Sequence, residues 1–311
     1  MAGVTRRRFL EQSASVAAAA LVIPRFLHAA REPSVQFPSN PRERISVASY
    51  PFREFIAGKE HQAGNPTMEL KDFAAHVVEK FGVHRIEPWS PHFPSTDPKY
   101  LEQFRAAIEQ AGSGVADIAA DGRHSVYAAD RGEREKAIAF GKQWVDVAVA
   151  LGSPSVRTHV EGSKGVKPDV NLAADSLKQV AEYGESKNVV LHLENDNPVS
   201  EDPFFLVQVI DKVNSPWLRA LPDFGNSLVA HDEDYAYRGV EAMFAHAYGI
   251  CHVKDGELND QGKAVHVDLA RTFGILKKRG YKGYCSIEYD APGDPYRPTA
   301  ELIQKTVQYL S

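Results

Sequence analysis

The sequence predicts an α/β chain closed into a (β/α)8 barrel, the fold commonly called a TIM barrel. Three observations carry that prediction. Eight short apolar runs, rich in β-branched residues, alternate with stretches of helical periodicity, the pattern of a parallel sheet with helical crossovers. The chain has 311 residues, enough for the roughly 250 that such a barrel needs. The fifth to eighth runs end in succession in Glu194, Asp223, His252 and Glu288. A doubly wound open sheet is the competing architecture. It would gather its ligands at one switch point rather than at four consecutive strand ends.

Residues 31–44 are proline-rich and polar, a lead-in or a strap over the barrel. Residues 45–50 (ISVASY) alternate and form the first strand. Residues 66–81 put Leu70, Phe73, Ala74, Val77 and Val78 at helical spacing, with Gly82 as the stop. Residues 83–87 (VHRIE) are the second strand, which ends at Glu87 and leads into a WSPHFP loop containing His92. Pro98 opens a helix to residue 110, and residues 114–119 are the third strand. A long helix covers 134–151, where Gly141 and Ala148 permit close approach to the sheet. Residues 155–160 (SVRTHV) form the fourth strand, 170–186 a helix and 189–194 the fifth strand. Helix 201–213, strand 218–223, a helix in the later part of 233–247 and strand 248–252 follow. Residues 255–266 are a loop bearing glycine and charge. Helix 267–279, the eighth strand 283–288 and a closing helix 298–310 complete the barrel domain, residues 45–311.

The composition is 43% hydrophobic and 25% charged, which suits one large core. The formal net charge of −5 argues against a nucleic-acid partner. No glycine-rich phosphate loop stands between a strand and a helix, so no nucleotide cofactor is expected. Cys251 and Cys285 are expected to face the helix layer as free thiols on sequential strands. A homo-oligomer is compatible with the sequence, although no patch in it defines an interface.

Residues 1–30 read as a targeting segment and are set apart from the fold. Basic residues Arg6, Arg7 and Arg8 precede an apolar run, 13–23, too short to span a bilayer alone. The run 5–10 (TRRRFL) resembles a twin-arginine export signal, and Ala29 and Ala30 suit cleavage. Cleavage near Ala29 would remove four arginines and one glutamate and take the net charge from −5 to −8. The expectation is a folded protein delivered to the periplasm, with no membrane partner once the segment is removed.

Two glutamates, an aspartate and a histidine at one barrel mouth supply three oxygens and one nitrogen for a divalent cation. Such an ion can be chelated by adjacent oxygens of a sugar or polyol and stabilise the enediolate formed by proton loss beside a carbonyl. Glu194 and Glu288, on the fifth and eighth strands, are placed for proton abstraction and return. Lys254 shares the inward parity of His252 and is a candidate for a substrate oxygen. Glu87, His92, Arg157 and His159 are further candidates for the pocket wall. His192 has the parity of Glu194 but lies one layer down.

The segments ENDN (194–197), PDFGN (222–226), HVKD (252–255) and SIEYD (286–290), with the weaker IEPWSPHF (86–93), resemble the xylose isomerase-like TIM-barrel superfamily, the sugar phosphate isomerase and epimerase group. The resemblance covers roughly residues 45–310. It implies Glu194, Asp223, His252 and Glu288 as metal ligands, with the two glutamates as the acid/base pair. Mn²⁺ is the favoured ion, and Co²⁺, Mg²⁺ or Zn²⁺ are compatible. The chain departs from the ketose 3-epimerases at Ser200, Asn226 and Leu258, where those enzymes carry substrate contacts. Asn226, which replaces a histidine, is therefore the expected contact at its position. The expected activity is isomerisation or epimerisation of an unphosphorylated sugar or keto-sugar. The alternatives are a lyase or dehydratase acting on a keto-sugar, 3-keto-glycoside or inosose, and a non-catalytic sugar-binding protein.

Overall fold

The structure, a computed structural model, describes residues 32–196, 199–200, 202–259 and 261–311. The expected export segment lies outside them, so that reading and its cleavage site have no structural counterpart. Glu32–Ser311 forms one compact unit.

Eight parallel strands make the barrel: β1 (Ile45–Ala48), β2 (Arg85–Glu87), β3 (Gly114–Val115), β4 (Ser155–Thr158), β5 (Val190–Glu194), β6 (Leu218–Leu221), β7 (Ile250–Val253) and, after a hairpin, β10 (Tyr284–Ile287). Regular pairing gives two arcs, β3-β2-β1-β10-β7 and β4-β5-β6. Single bridges close the ring. Ala119 pairs with Arg157 between the third and fourth strands, and Ala220 with Ala247 and Asp223 with His252 between the sixth and seventh. Arg157 N donates to Ile118 O at 2.9 Å, and His252 N donates to Pro222 O at 3.1 Å. The open sheet is thereby ruled out.

Nine helices are described: α1 (Phe73–Phe81), α2 (Pro98–Gln110), α3 (Arg131–Leu151), α4 (Val170–Lys187), α5 (Pro203–Val213), α6 (Asn226–Ala230), α7 (Glu233–Phe244), α8 (Leu269–Lys278) and α9 (Tyr296–Leu310). Their ends follow local chemistry. Asp130, Asp169, Asp202, Asp232 and Asp268 accept backbone N–H bonds as N-caps of α3, α4, α5, α7 and α8. Gly82 and Gly152 terminate α1 and α3 in the left-handed conformation, at φ 60° and 72°. None of the described helices is long and apolar enough to cross a membrane.

Two elements differ from the expectation. The loop 255–266 contains an antiparallel hairpin, β8 (Gly256–Leu258) with β9 (Ala264–His266). Its strands are three residues each, too short to show a period. The segment after Asp223 turns into the five-residue helix α6, which had no apolar repeat to announce it. Leu258 sits on the hairpin at 38% exposure.

The alternation of each strand sorts the barrel interior from the core. Val47, Leu193, Val253 and Ile287 pack in the main apolar cluster, as do Cys251 and Cys285. Those cysteines are free, buried and 3.7 Å apart at sulfur. Ser46, Ser155, His192 and Ser286 occupy the polar interior phase. His192 Nδ1 meets Asp117 Oδ1 at 3.0 Å, and its Nε2 accepts from Gly249 N at 3.3 Å. The lead-in covers the end where the strands begin. Phe37 makes edge contacts with Tyr248 and Tyr284, and Tyr248 Oη donates to Pro33 O. The opposite end, where the strands finish, is left for chemistry.

Candidate metal centre and catalytic pocket

Glu194 is the last residue of β5, His252 lies in β7, and Asp223 and Glu288 stand just beyond β6 and β10. One ligand atom from each falls within 4.8 Å of all the others, and all four side chains are buried. His252 organises the group. Its Nδ1 lies 2.6 Å from Glu194 Oε1, 3.2 Å from Glu288 Oε2 and 3.9 Å from Asp223 Oδ2. Its Nε2 faces the other way, 2.8 Å from Glu87 Oε1. Burial opposes a charge on this ring, but Glu194, Glu288 and Glu87 together hold its pKa well above the ordinary histidine value.

Asp223 is aimed by backbone. Its Oδ1 accepts N–H bonds from Gly225 (2.8 Å) and Asn226 (2.7 Å), where α6 begins. Asn195 buttresses the same turn, accepting from Asp223 N at 2.9 Å and donating to Ser227 Oγ at 2.9 Å. Asp223 Oδ2 and Glu194 Oε2 are buried without a hydrogen-bond partner among the described residues. Burial, with Glu194 and Glu288 adding to it against Lys254, pushes the Asp223 carboxyl up to about 8. Burial works against ionisation of Glu288 too, yet His252 and Lys254 bring it down to about 2. Unsatisfied buried carboxylate oxygens converging with one imidazole nitrogen fit a divalent cation. Glu87 would then hold Nε2–H and leave Nδ1 to the ion.

Above these residues lies a cavity of about 310 Å³. Glu194, Glu288, Arg157, Lys254 and Asn226 line it. Lys254 Nζ donates to Asn226 Oδ1 at 2.7 Å and lies 3.2 Å from Glu288 Oε2 and 3.3 Å from Glu257 Oε2. Asn226 Nδ2 is buried and has no partner among the described residues. Arg157 Nε lies 2.8 Å from Glu194 Oε2 without hydrogen-bond alignment, while its Nη1 donates to Asp121 Oδ1 at 2.6 Å.

The remaining candidates sit elsewhere. Glu87 is wholly buried beneath the cavity, committed to His252. His92, expected at the wall, is also fully buried; its Nδ1 shares a 3.0 Å hydrogen bond with Ser49 Oγ. The 3-10 turn Ser90–His92 swings it inward, and burial drives its pKa down to about 3. His159 lies behind the wall, 3.0 Å from Asp196 Oδ2 and 3.2 Å from Glu161 Oε2. Among the aromatic residues near the strand ends, Tyr50 and Trp89 reach the cavity, whereas Phe224 packs on Phe244 and Phe273 in the core.

Asp121, Asp196, Glu257, Asp290 and Arg53 also line the cavity and were not among the sequence candidates. Asp196 and Asp290 lie two residues past Glu194 and Glu288, so strand parity would have found them. Asp121 gave no such signal, because regular pairing of β3 stops at Val115. Asp121, His159 and Asp196 could themselves surround a cation. Instead the Arg157 guanidinium is already 2.6 Å from Asp121, and Asp196 and Glu161 raise the pKa of buried His159 to about 10.

Residues 75–311 match the xylose isomerase-like TIM barrel family, and the chain belongs to it. None of the curated proteins matches the sequence. A xylose isomerase-like TIM barrel protein from Mycobacterium smegmatis, solved in complex with magnesium, is 18% identical with a TM-score of 0.64, over 86% of this chain and 96% of that one. D-psicose 3-epimerase from Clostridium cellulolyticum H10, solved with D-tagatose, is 13% identical with a TM-score of 0.66, over 86% and 98%. 3-keto-D-glucoside 4-epimerase from E. coli is 14% identical with a TM-score of 0.61, over 85% and 98%. At these identities the similarity is one of fold.

Proposed function

We propose that this protein is a divalent-metal-dependent isomerase or epimerase of an unphosphorylated sugar or keto-sugar. The observation that carries the reading is the convergence of the Glu194, Asp223, His252 and Glu288 ligand atoms within 4.8 Å at the barrel mouth. A bound ion, Mn²⁺ by preference, would polarise the substrate carbonyl. Glu194 and Glu288 exchange the proton on the adjacent carbon, one taking it and the other returning it. Lys254, held by Asn226 and Glu288, donates to a substrate oxygen, and Asn226 Nδ2 offers a second donor. Arg157 fixes Glu194. Six carboxylates against three cationic side chains line the cavity, which disfavours a phosphate group. The TRRRFL run at 5–10 supports a protein exported to the periplasm by the twin-arginine route.

The experiment is product analysis by NMR, with metal-loaded protein and a panel of free ketoses and keto-sugars. A new stereoisomer or isomer of unchanged mass is the expected result. Release of water or of an aglycone would instead make the protein a lyase, and absence of turnover with every sugar would sink the reading.

A further inference from the structure

The catalytic cavity has a neighbour. A second cavity of about 240 Å³ opens between the loop after β2 and helix α3, and Asp121 lines both. Its walls combine Phe93, Phe140 and Trp144 with the polar side chains Lys59, Thr96 and Gln143. The Phe93 and Trp144 rings meet edge to face, 5.1 Å apart at their centroids. Aromatic walls with scattered polar groups suit a sugar ring, which has apolar C–H faces and hydroxyl edges.

Asp121 stands between the two spaces and is fixed in place. Its Oδ1 accepts from Arg157 Nη1 at 2.6 Å and its Oδ2 from Trp89 Nε1 at 2.5 Å, while its backbone N donates to Ser90 Oγ at 2.9 Å. Both donors to its carboxylate, Arg157 and Trp89, line the inner cavity, whereas Ser90 lines the outer one. Asp121 thus ties the two walls together.

We propose that the substrate is a two-ring glycoside. The reacting ring occupies the inner cavity, a glycosidically linked second sugar ring occupies the outer one, and the linkage passes Asp121. This inference rests on the sugar-directed reading of the inner site and adds a subsite to it. Phe140, the half-buried aromatic of the three, lies along the second ring over the buried Phe93–Trp144 pair, and Gln143 and Thr96, whose side chains share a 3.4 Å hydrogen bond, meet its hydroxyls.

Isothermal titration of the full metal-loaded chain tests the subsite, using 3-keto-maltose and its single-ring counterpart, methyl 3-keto-α-D-glucoside. The two-ring probe is expected to bind about tenfold tighter, the scale of one good aromatic contact. Gln143→Trp and Thr96→Trp, which narrow the outer cavity only, should each abolish that advantage and leave single-ring affinity and metal content unchanged. Equal affinity of the two probes for the unaltered protein, or an advantage that survives both substitutions, would overturn the subsite while leaving the inner site standing. Failure of both probes to bind a metal-loaded chain would overturn the subsite, and the sugar-directed reading with it only if the free ketoses and keto-sugars are not turned over either.

Discussion

His252 has carboxylates on both of its ring nitrogens, and the two sides do different work. Nδ1 points into the ligand cluster, while Nε2 is held by Glu87 from the far side of the barrel. Glu87 is a positioning residue, because it touches the ligand rather than the cavity. Glu87→Gln should weaken Mn²⁺ binding by roughly 10- to 100-fold, measured by titration calorimetry, the usual penalty for removing such support. Unchanged affinity would show that His252 needs no such anchor. Protonation sets a second expectation. The surrounding carboxylates favour the charged His252 ring against burial, and burial first, then Glu194 and Glu288, lifts the Asp223 carboxyl to about 8. Near neutrality the ion must therefore displace protons from its own ligands. Affinity should rise with pH between about pH 6 and pH 8, by up to about tenfold per unit for each proton displaced and so up to about a hundredfold per unit where both groups are protonated. A flat profile over that window would mean that the ligands are already deprotonated.

The elements explain how far the site could be read from the chain. The cluster of four candidate ligands was legible because each closes or just follows an apolar run, and because barrel chemistry gathers where strands end. The helices were legible too: residues 98–110 coincide with α2, whose opening proline and apolar spacing are both local signals. The hairpin β8–β9 and α6 were not, since neither is long enough to repeat a pattern. His92 was misplaced for a related reason: parity cannot be followed around the turn Ser90–His92. Asp121 escaped because the third strand leaves regular pairing six residues before it. Packing between helices is also invisible to periodicity. A Cβ on Gly239 of α7 would lie 2.0 Å from Pro203 Cγ at the start of α5. Gly239→Ala should therefore cost about 1–3 kcal/mol of stability in urea unfolding, as overpacking does. A change near zero would mean that α5 and α7 separate freely.

At the scale of the whole molecule, the barrel divides its tasks between two ends. The lead-in closes the end where strands begin, with Phe37 against Tyr248 and Tyr284, and the candidate metal ligands occupy the other. Phe37→Ala should lower stability by about 1–3 kcal/mol for a partly buried aromatic. Manganese affinity should stay as it was, and a parallel loss of both would show that the two ends are coupled. The central claim concerns the other end: one ion held by Glu194, Asp223, His252 and Glu288, with the two glutamates moving a proton. It is tested most directly by incubating the manganese-loaded protein with a keto-sugar substrate in D2O and following the sugar by mass spectrometry and NMR. Deuterium is expected on the carbon beside the carbonyl, with one ion per chain by elemental analysis and loss of both the ion and the exchange in Asp223→Ala. A chain that turns over sugar without taking up solvent deuterium, or one whose metal content survives Asp223→Ala, would contradict it.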